Sequence, residues 1–113
     1  MKILLDHNLD RRLKRFLSPE YDVSTTQAEG WSDVLNGELL SLLDANGFDV
    51  MLTADSNIRS QQNFASRSIA VVVLRARNNR LATHLEMIDE IETALATVRK
   101  GQIVEVFHRE LRK

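Results

Sequence analysis

The sequence predicts a three-layer α/β/α sandwich on a mainly parallel sheet, and three observations carry that expectation. Short segments rich in Ile, Val and Leu alternate with segments of helical periodicity, in the order βαβαβαβαβ. One of them, Ile69 to Leu74, is apolar at nearly every position, which suits a strand covered on both faces and so a parallel sheet. No repeat, linker or low-complexity stretch divides the 113 residues, so residues 1–113 are read as a single domain. Alternation of this kind packs helices on both faces of a sheet through right-handed crossovers.

The elements follow in order. Lys2 to Leu5 is the first strand. After it Leu9, Leu13, Phe16 and Leu17 recur at helical spacing, and Arg11, Arg12, Lys14 and Arg15 fill much of the rest as a solvated or partner-facing surface. Tyr21 to Thr25 is a weaker second strand. Leu39, Leu40, Leu42 and Leu43 form the apolar stripe of the next helix, stopped by Asn46-Gly47. Asp49 to Thr53 is the third strand, Asn57 to Ala65 a short helix and Ile69 to Leu74 the fourth strand. The longest helix is expected over Leu81 to Val98, with Leu85, Ile88, Ile91, Leu95 and Val98 on one face and Gly101 just past its end. Ile103 to Phe107 is the last strand.

Composition narrows the function classes. With no cysteine, neither a disulfide framework nor a thiolate zinc site can form. The net charge of -1 argues against a protein that coats nucleic acid through a global positive field, so any such contact must come from local basic patches. The longest aliphatic run, Ile69 to Leu74, is too short to span a bilayer. The opening Met-Lys-Ile-Leu-Leu-Asp places an acid where a signal peptide needs its apolar region to continue, so a cytoplasmic home and no membrane partner are expected.

Two acids fall where an open α/β sheet binds its ligands, outside the carboxyl ends of the strands. Asp6 directly follows the first strand, and Asp55 follows the third with only Ala54 between. If those strands are parallel neighbours, both carboxylates emerge at one edge and repel each other unless a cation lies between them. Oxygen ligands of this hard type favour Mg²⁺ or Mn²⁺. A cation held so can polarise a phosphoryl oxygen and acidify a bound water, which is hydrolytic phosphodiester chemistry. Each Asp taken alone is equally readable as a helix cap, Asp6 for the helix near Leu9 and Asp55 for the one near Asn57. Glu38 opens the Leu-rich helix and by spacing reads as a first-turn acid facing the helix dipole. Asn8 and Asn57 stand two residues beyond the aspartates as supporting amides or further caps.

The opening Met-Lys-Ile-Leu-Leu-Asp-His-Asn-Leu resembles the start of small PIN-like proteins of bacteria and archaea, which begin with a strand followed by Asp-Glu-Asn-Leu. Gly30-Trp31-Ser32 with Asn36-Gly37-Glu38-Leu39-Leu40 resembles their second block, and Leu52-Thr53-Ala54-Asp55 their third. The resemblance implies a PIN-like fold and a metal-dependent ribonuclease related to VapC-type toxins. It implies Asp6, Glu38 and Asp55 as catalytic and metal-holding residues, Asn8 at the family's Asn position, and Mg²⁺ or Mn²⁺ as cofactor. RNA is the implied substrate and a small antitoxin protein the implied partner, with a homodimer as the assembly considered. His7 stands where the family commonly carries Glu, and Asn57 where a further Asp is usual. Loss of that acid supports an alternative, a catalytically depleted domain that binds protein or RNA as a regulatory partner. A phospho-acceptor receiver domain shares the βα alternation, but lacks a match here after the first, fourth and fifth strands.

Arg75, Arg77 and Arg80 follow the fourth strand and are expected at the same edge as the acids, where guanidinium groups would clamp RNA phosphates. Arg59 and Arg67 are secondary candidates for that role. His7, His84 and His108 show no metal-ligand spacing; His7 is expected to point away from Asp6 and His84 to be exposed on its helix. Trp31 is expected to pack on the core.

Overall fold

The computed structural model describes residues 1–60 and 64–111. Strands β1 (Lys2–Leu5), β2 (Asp22–Thr25), β3 (Val50–Thr53), β4 (Ala70–Arg75) and β5 (Ile103–Phe107) form one sheet in the order β2-β1-β3-β4-β5. Every pairing is parallel. The chain steps outward from β1 to β2, returns past β1 to β3, and thereby creates a switch point between β1 and β3. The helices are α1 (Thr26–Glu29), α2 (Asn36–Ala45), α3 (Leu81–Leu85) and α4 (Ile88–Thr97), with 3-10 helices at Arg11–Phe16, Ser56–Ser60, Phe64–Ser66 and Arg109–Leu111.

Strand alternation divides the core into two layers. Ile3, Leu5, Val50, Leu52, Val72 and Leu74 face Leu13 of the first 3-10 helix and Ile91, Ala94 and Leu95 of α4. Leu4, Met51, Val71 and Val73 face Leu39, Leu40 and Leu43 of α2, with Phe48, Ile58 and Phe64 beside them. Trp31 packs against this second layer, its ring edge-on to Phe48 at 5.9 Å. The α/β sandwich is therefore present, its sheet parallel throughout.

Three local expectations need correction. The helix over Leu9 to Leu17 is a 3-10 helix, and Leu17 leaves it in extended conformation to reach the core, which turns Phe16 out to 50% exposure. The long helix over Leu81 to Val98 is broken: Met87 sits at φ -106° and ψ 7°, buried, while the exposed Glu86 side chain is drawn to His108. α4 nevertheless ends at Thr97, and Gly101 lies past it in the turn into β5, at φ 77°. The helix expected over Asn57 to Ala65 is replaced by two short 3-10 helices, its residues 61–63 lying outside the described ones.

The connections do not share one hand. The β1–β2 helix lies on the first face while the chain moves outward, and α2 lies on the second face while it moves back, which is one hand. The β3–β4 segment keeps to the second face and to that hand. The β4–β5 connection continues in the same direction but places α4 on the first face, so its hand is the opposite one. Uniform crossover handedness is therefore not kept in this sheet. The cause is coverage: a six-residue 3-10 helix cannot shield the first face, and α4 covers the part over β4 and β5. Among the described residues no helix is long and apolar enough to cross a membrane.

Candidate functional site

The β1–β3 register pairs Leu5 with Leu52, so the residues that follow, Asp6 and Thr53, leave the sheet side by side at the switch point. Asp6 is 2% exposed and Thr53 is fully buried. Thr53 Oγ1 donates to Asp6 Oδ2 at 2.7 Å and accepts from the Asp55 backbone N–H at 3.0 Å. The Asn8 side-chain amide donates to the same hydroxyl at 3.3 Å, while its carbonyl oxygen accepts from the Ala54 backbone N–H at 3.1 Å. One buried hydroxyl therefore ties both aspartates and Asn8 into a single network.

The remaining contacts fix each carboxylate. Asp6 Oδ1 accepts from the His7 backbone N–H at 2.8 Å and lies 3.0 Å from His7 Nδ1. His7 had been expected to point away, but the chain enters a turn immediately after β1 and strand alternation no longer applies. Asp55 Oδ2 accepts from the Asn36 side-chain amide at 2.8 Å, and Oδ1 accepts from the Asn57 backbone N–H at 2.9 Å. Asp55 thus also acts as a cap for Ser56–Ser60. Asp6 does not cap the first 3-10 helix: Asp10 does, accepting from the Arg12 backbone N–H at 2.9 Å. The Arg12 guanidinium, bound across both Asp10 oxygens, holds that carboxyl down at about 2.

Glu38 stands apart. It is exposed in the first turn of α2, and among the described residues no group of three His, Asp or Glu side chains is close enough to hold a metal. Asn57 is exposed and contributes its backbone N–H. The donor set nevertheless suits a hard cation. Mg²⁺ commonly takes one or two carboxylates and completes its shell with water and substrate phosphate. A carboxylate offers about four lone-pair positions, of which the contacts above occupy part on Asp6 and fewer on Asp55. Both carboxylates therefore keep lone-pair positions of the kind a hard cation takes.

The arginines after β4 are largely engaged. Arg75 pairs with Glu105 on β5 and lies over the Phe107 ring, and Arg77 pairs with Glu110. Arg80 is exposed, its backbone N–H held by Asn78 Oδ1 at 3.0 Å. Arg67 pairs with Asp44 at 3.0 Å, and the Arg59 side chain lies outside the described residues.

His84, expected exposed, is fully buried with neither ring nitrogen hydrogen-bonded. Burial, aided by nearby His108, lowers its pKa. His108 is also buried; its Nδ1 accepts from the Glu110 backbone N–H at 3.1 Å, so its Nε2 carries the proton facing Glu86 Oε1 at 2.7 Å.

Comparison with family models, curated proteins and solved structures finds no match to this chain. The site is therefore read from its own chemistry. Two of its members, Thr53 and Asn36, were not singled out as site residues from sequence. A polar residue ending the apolar run Val50-Met51-Leu52 was the available signal for Thr53; Asn36 joins Asp55 only through the packing of α2.

Proposed function

We propose that this chain is a PIN-like, divalent-metal-dependent ribonuclease whose metal-holding carboxylates are Asp6 and Asp55. The observation that carries the reading is Asp6, a buried carboxylate at the sheet's switch point that caps no helix and is held by a buried hydroxyl. Burying such a group is costly, and Lys or Arg does not pair with it among the described residues. Mg²⁺ or Mn²⁺, when bound, supplies charge neutralisation at phosphate and acidification of water.

The chain's own residues prepare for this. Thr53 Oγ1 and the His7 backbone N–H aim the Asp6 carboxylate, and Asn36 aims Asp55. His7 Nδ1 faces Asp6 Oδ1 at 3.0 Å, which leaves Nε2 outward on a side chain that is 56% exposed. Glu38 is the third acid by family resemblance, and Arg80 the arginine of its loop left for RNA phosphate. By the same resemblance the protein acts in the cytoplasm as a toxin silenced by a small antitoxin protein.

A second reading, a depleted domain that binds RNA or protein without cleaving, draws on the exposed Asn57 and on the absence, among the described residues, of a group of three acids or histidines that could hold a metal. Calorimetric titration with Mn²⁺ separates the two. Saturable binding to the wild-type chain that Asp6→Ala and Asp55→Ala both abolish is the expected result. Absence of binding, or binding indifferent to both substitutions, excludes the metal centre and leaves the second reading.

A further inference from the structure

The 3-10 helix Arg11–Phe16 borders a groove of about 620 Å³, lined by Arg11, Arg12, Lys14 and Arg15 on one side and by Thr25, Gln27 and Ala28 on the other. Sequence alone reads these cations as a solvated or partner-facing helix surface. The fold puts a concave wall opposite them, made by the end of β2 and the start of α1.

From this geometry we infer that the groove binds the phosphodiester backbone of single-stranded RNA and delivers it to the Asp6–Asp55 edge. Side chains three apart eclipse on a 3-10 helix, at about 6 Å per turn. Arg11 therefore stands over Lys14, and Arg12 over Arg15, at a spacing close to that of successive phosphates in an extended strand. Asp10 already neutralises Arg12, which leaves Arg11, Lys14 and Arg15 as exposed cations for the ligand. Arg11 and Arg15 offer planar donor forks that match phosphate oxygens, and Lys14 a point charge.

The position explains why the ligand is a nucleic acid strand and not an isolated anion. Leu5 pairs with Thr25, so the β2 wall of the groove and the strand that ends at Asp6 are neighbours, about 5 Å apart. Along the carboxyl edge the sheet order then sets the basic groove at β2, on the first face, next to the two aspartates at β1 and β3, which lie with Thr53 and Asn36 on the α2 face. A strand bound in the groove crosses that edge to reach the acids, which one isolated anion would not do. With a net charge of -1 the molecule has no global field to do this, so the affinity must be local.

The inference takes its ligand class from the ribonuclease reading, yet its test needs no cleavage. Fluorescence anisotropy of a labelled single-stranded RNA, titrated in EDTA, compares the wild-type chain with Arg11→Ala/Lys14→Ala/Arg15→Ala. The expected result is an affinity loss of tenfold or more, with the log–log salt slope reduced by about 2, as removal of three phosphate contacts on a single strand requires. Arg11→Lys/Arg15→Lys, which keeps the charge, should retain most of the binding and guards against misfolding as the cause. Arg99→Ala/Lys100→Ala, at the opposite edge just before β5, should bind as wild type. Unchanged affinity in the triple variant, or equal loss in the Arg99/Lys100 variant, overturns the inference. Tighter binding of an acidic peptide of matched charge than of RNA also overturns it, in favour of a protein segment as occupant. Because metal is absent throughout, a failed groove and a failed Asp6–Asp55 centre give separate results.

Discussion

Thr53 is the residue on which the candidate centre turns. Its hydroxyl is simultaneously donor to Asp6 and acceptor for Asp55 and Asn8, and so ties three members of the network together. Thr53→Val keeps the shape and removes the hydroxyl. Leaving its partners short of a hydrogen bond in a buried site should cost about 1–3 kcal/mol in urea unfolding. The same loss of a supporting contact should weaken Mn²⁺ binding about tenfold or more by calorimetry. Retained affinity would mean that Thr53 only packs.

His84 makes the second residue-scale prediction. Both ring nitrogens are buried without partners, and its pKa is lowered mainly by burial. In the unfolded chain the imidazole takes up a proton near 6.5, whereas the folded chain resists it. The unfolded state therefore binds more protons below that pH, and stability must fall as pH drops through about 6.5. His84→Leu removes this contribution, so its melting temperature should change less between pH 7.5 and pH 5.5 than that of the wild type. Parallel pH profiles for the two chains would assign the acid sensitivity elsewhere.

At the scale of elements, α4 and the turn after it carry the departure from uniform crossover hand. Ile91 is fully buried at the centre of α4's contact with the sheet, while Thr93 on the same helix is exposed. Ile91→Ala should cost about 2–5 kcal/mol in denaturant unfolding, and Thr93→Ala should stay within about 0.5 kcal/mol. Equal effects would mean that α4 does not anchor the first face. Gly101 shows why the return into β5 needs its particular residue: it sits at φ 77°, and a Cβ there would come within 2.6 Å of the Ala65 carbonyl oxygen. Helix breaks were harder to anticipate than helix existence. The apolar face from Leu85 to Val98 continues across Met87 without a Gly or Pro, and at the break the neighbouring Glu86 side chain bonds His108, which is remote in sequence.

For the whole molecule, the sequence by itself determined the number of strands and their succession along the chain, the parallel character of the sheet, and the position of Asp6 and Asp55 at strand ends. It could do so because alternation, apolar runs and β-branched content act over a few residues and are written locally. Tertiary structure alone decided that Thr53 and Asn36 join the aspartates, that Glu38 stands outside their network, and that Arg75 and Arg77 are engaged by Glu105 and Glu110. It also turned a basic helix surface into one wall of a groove. These outcomes depend on strand order, register and the face each helix takes, and those are set by how distant segments share the burial of one sheet.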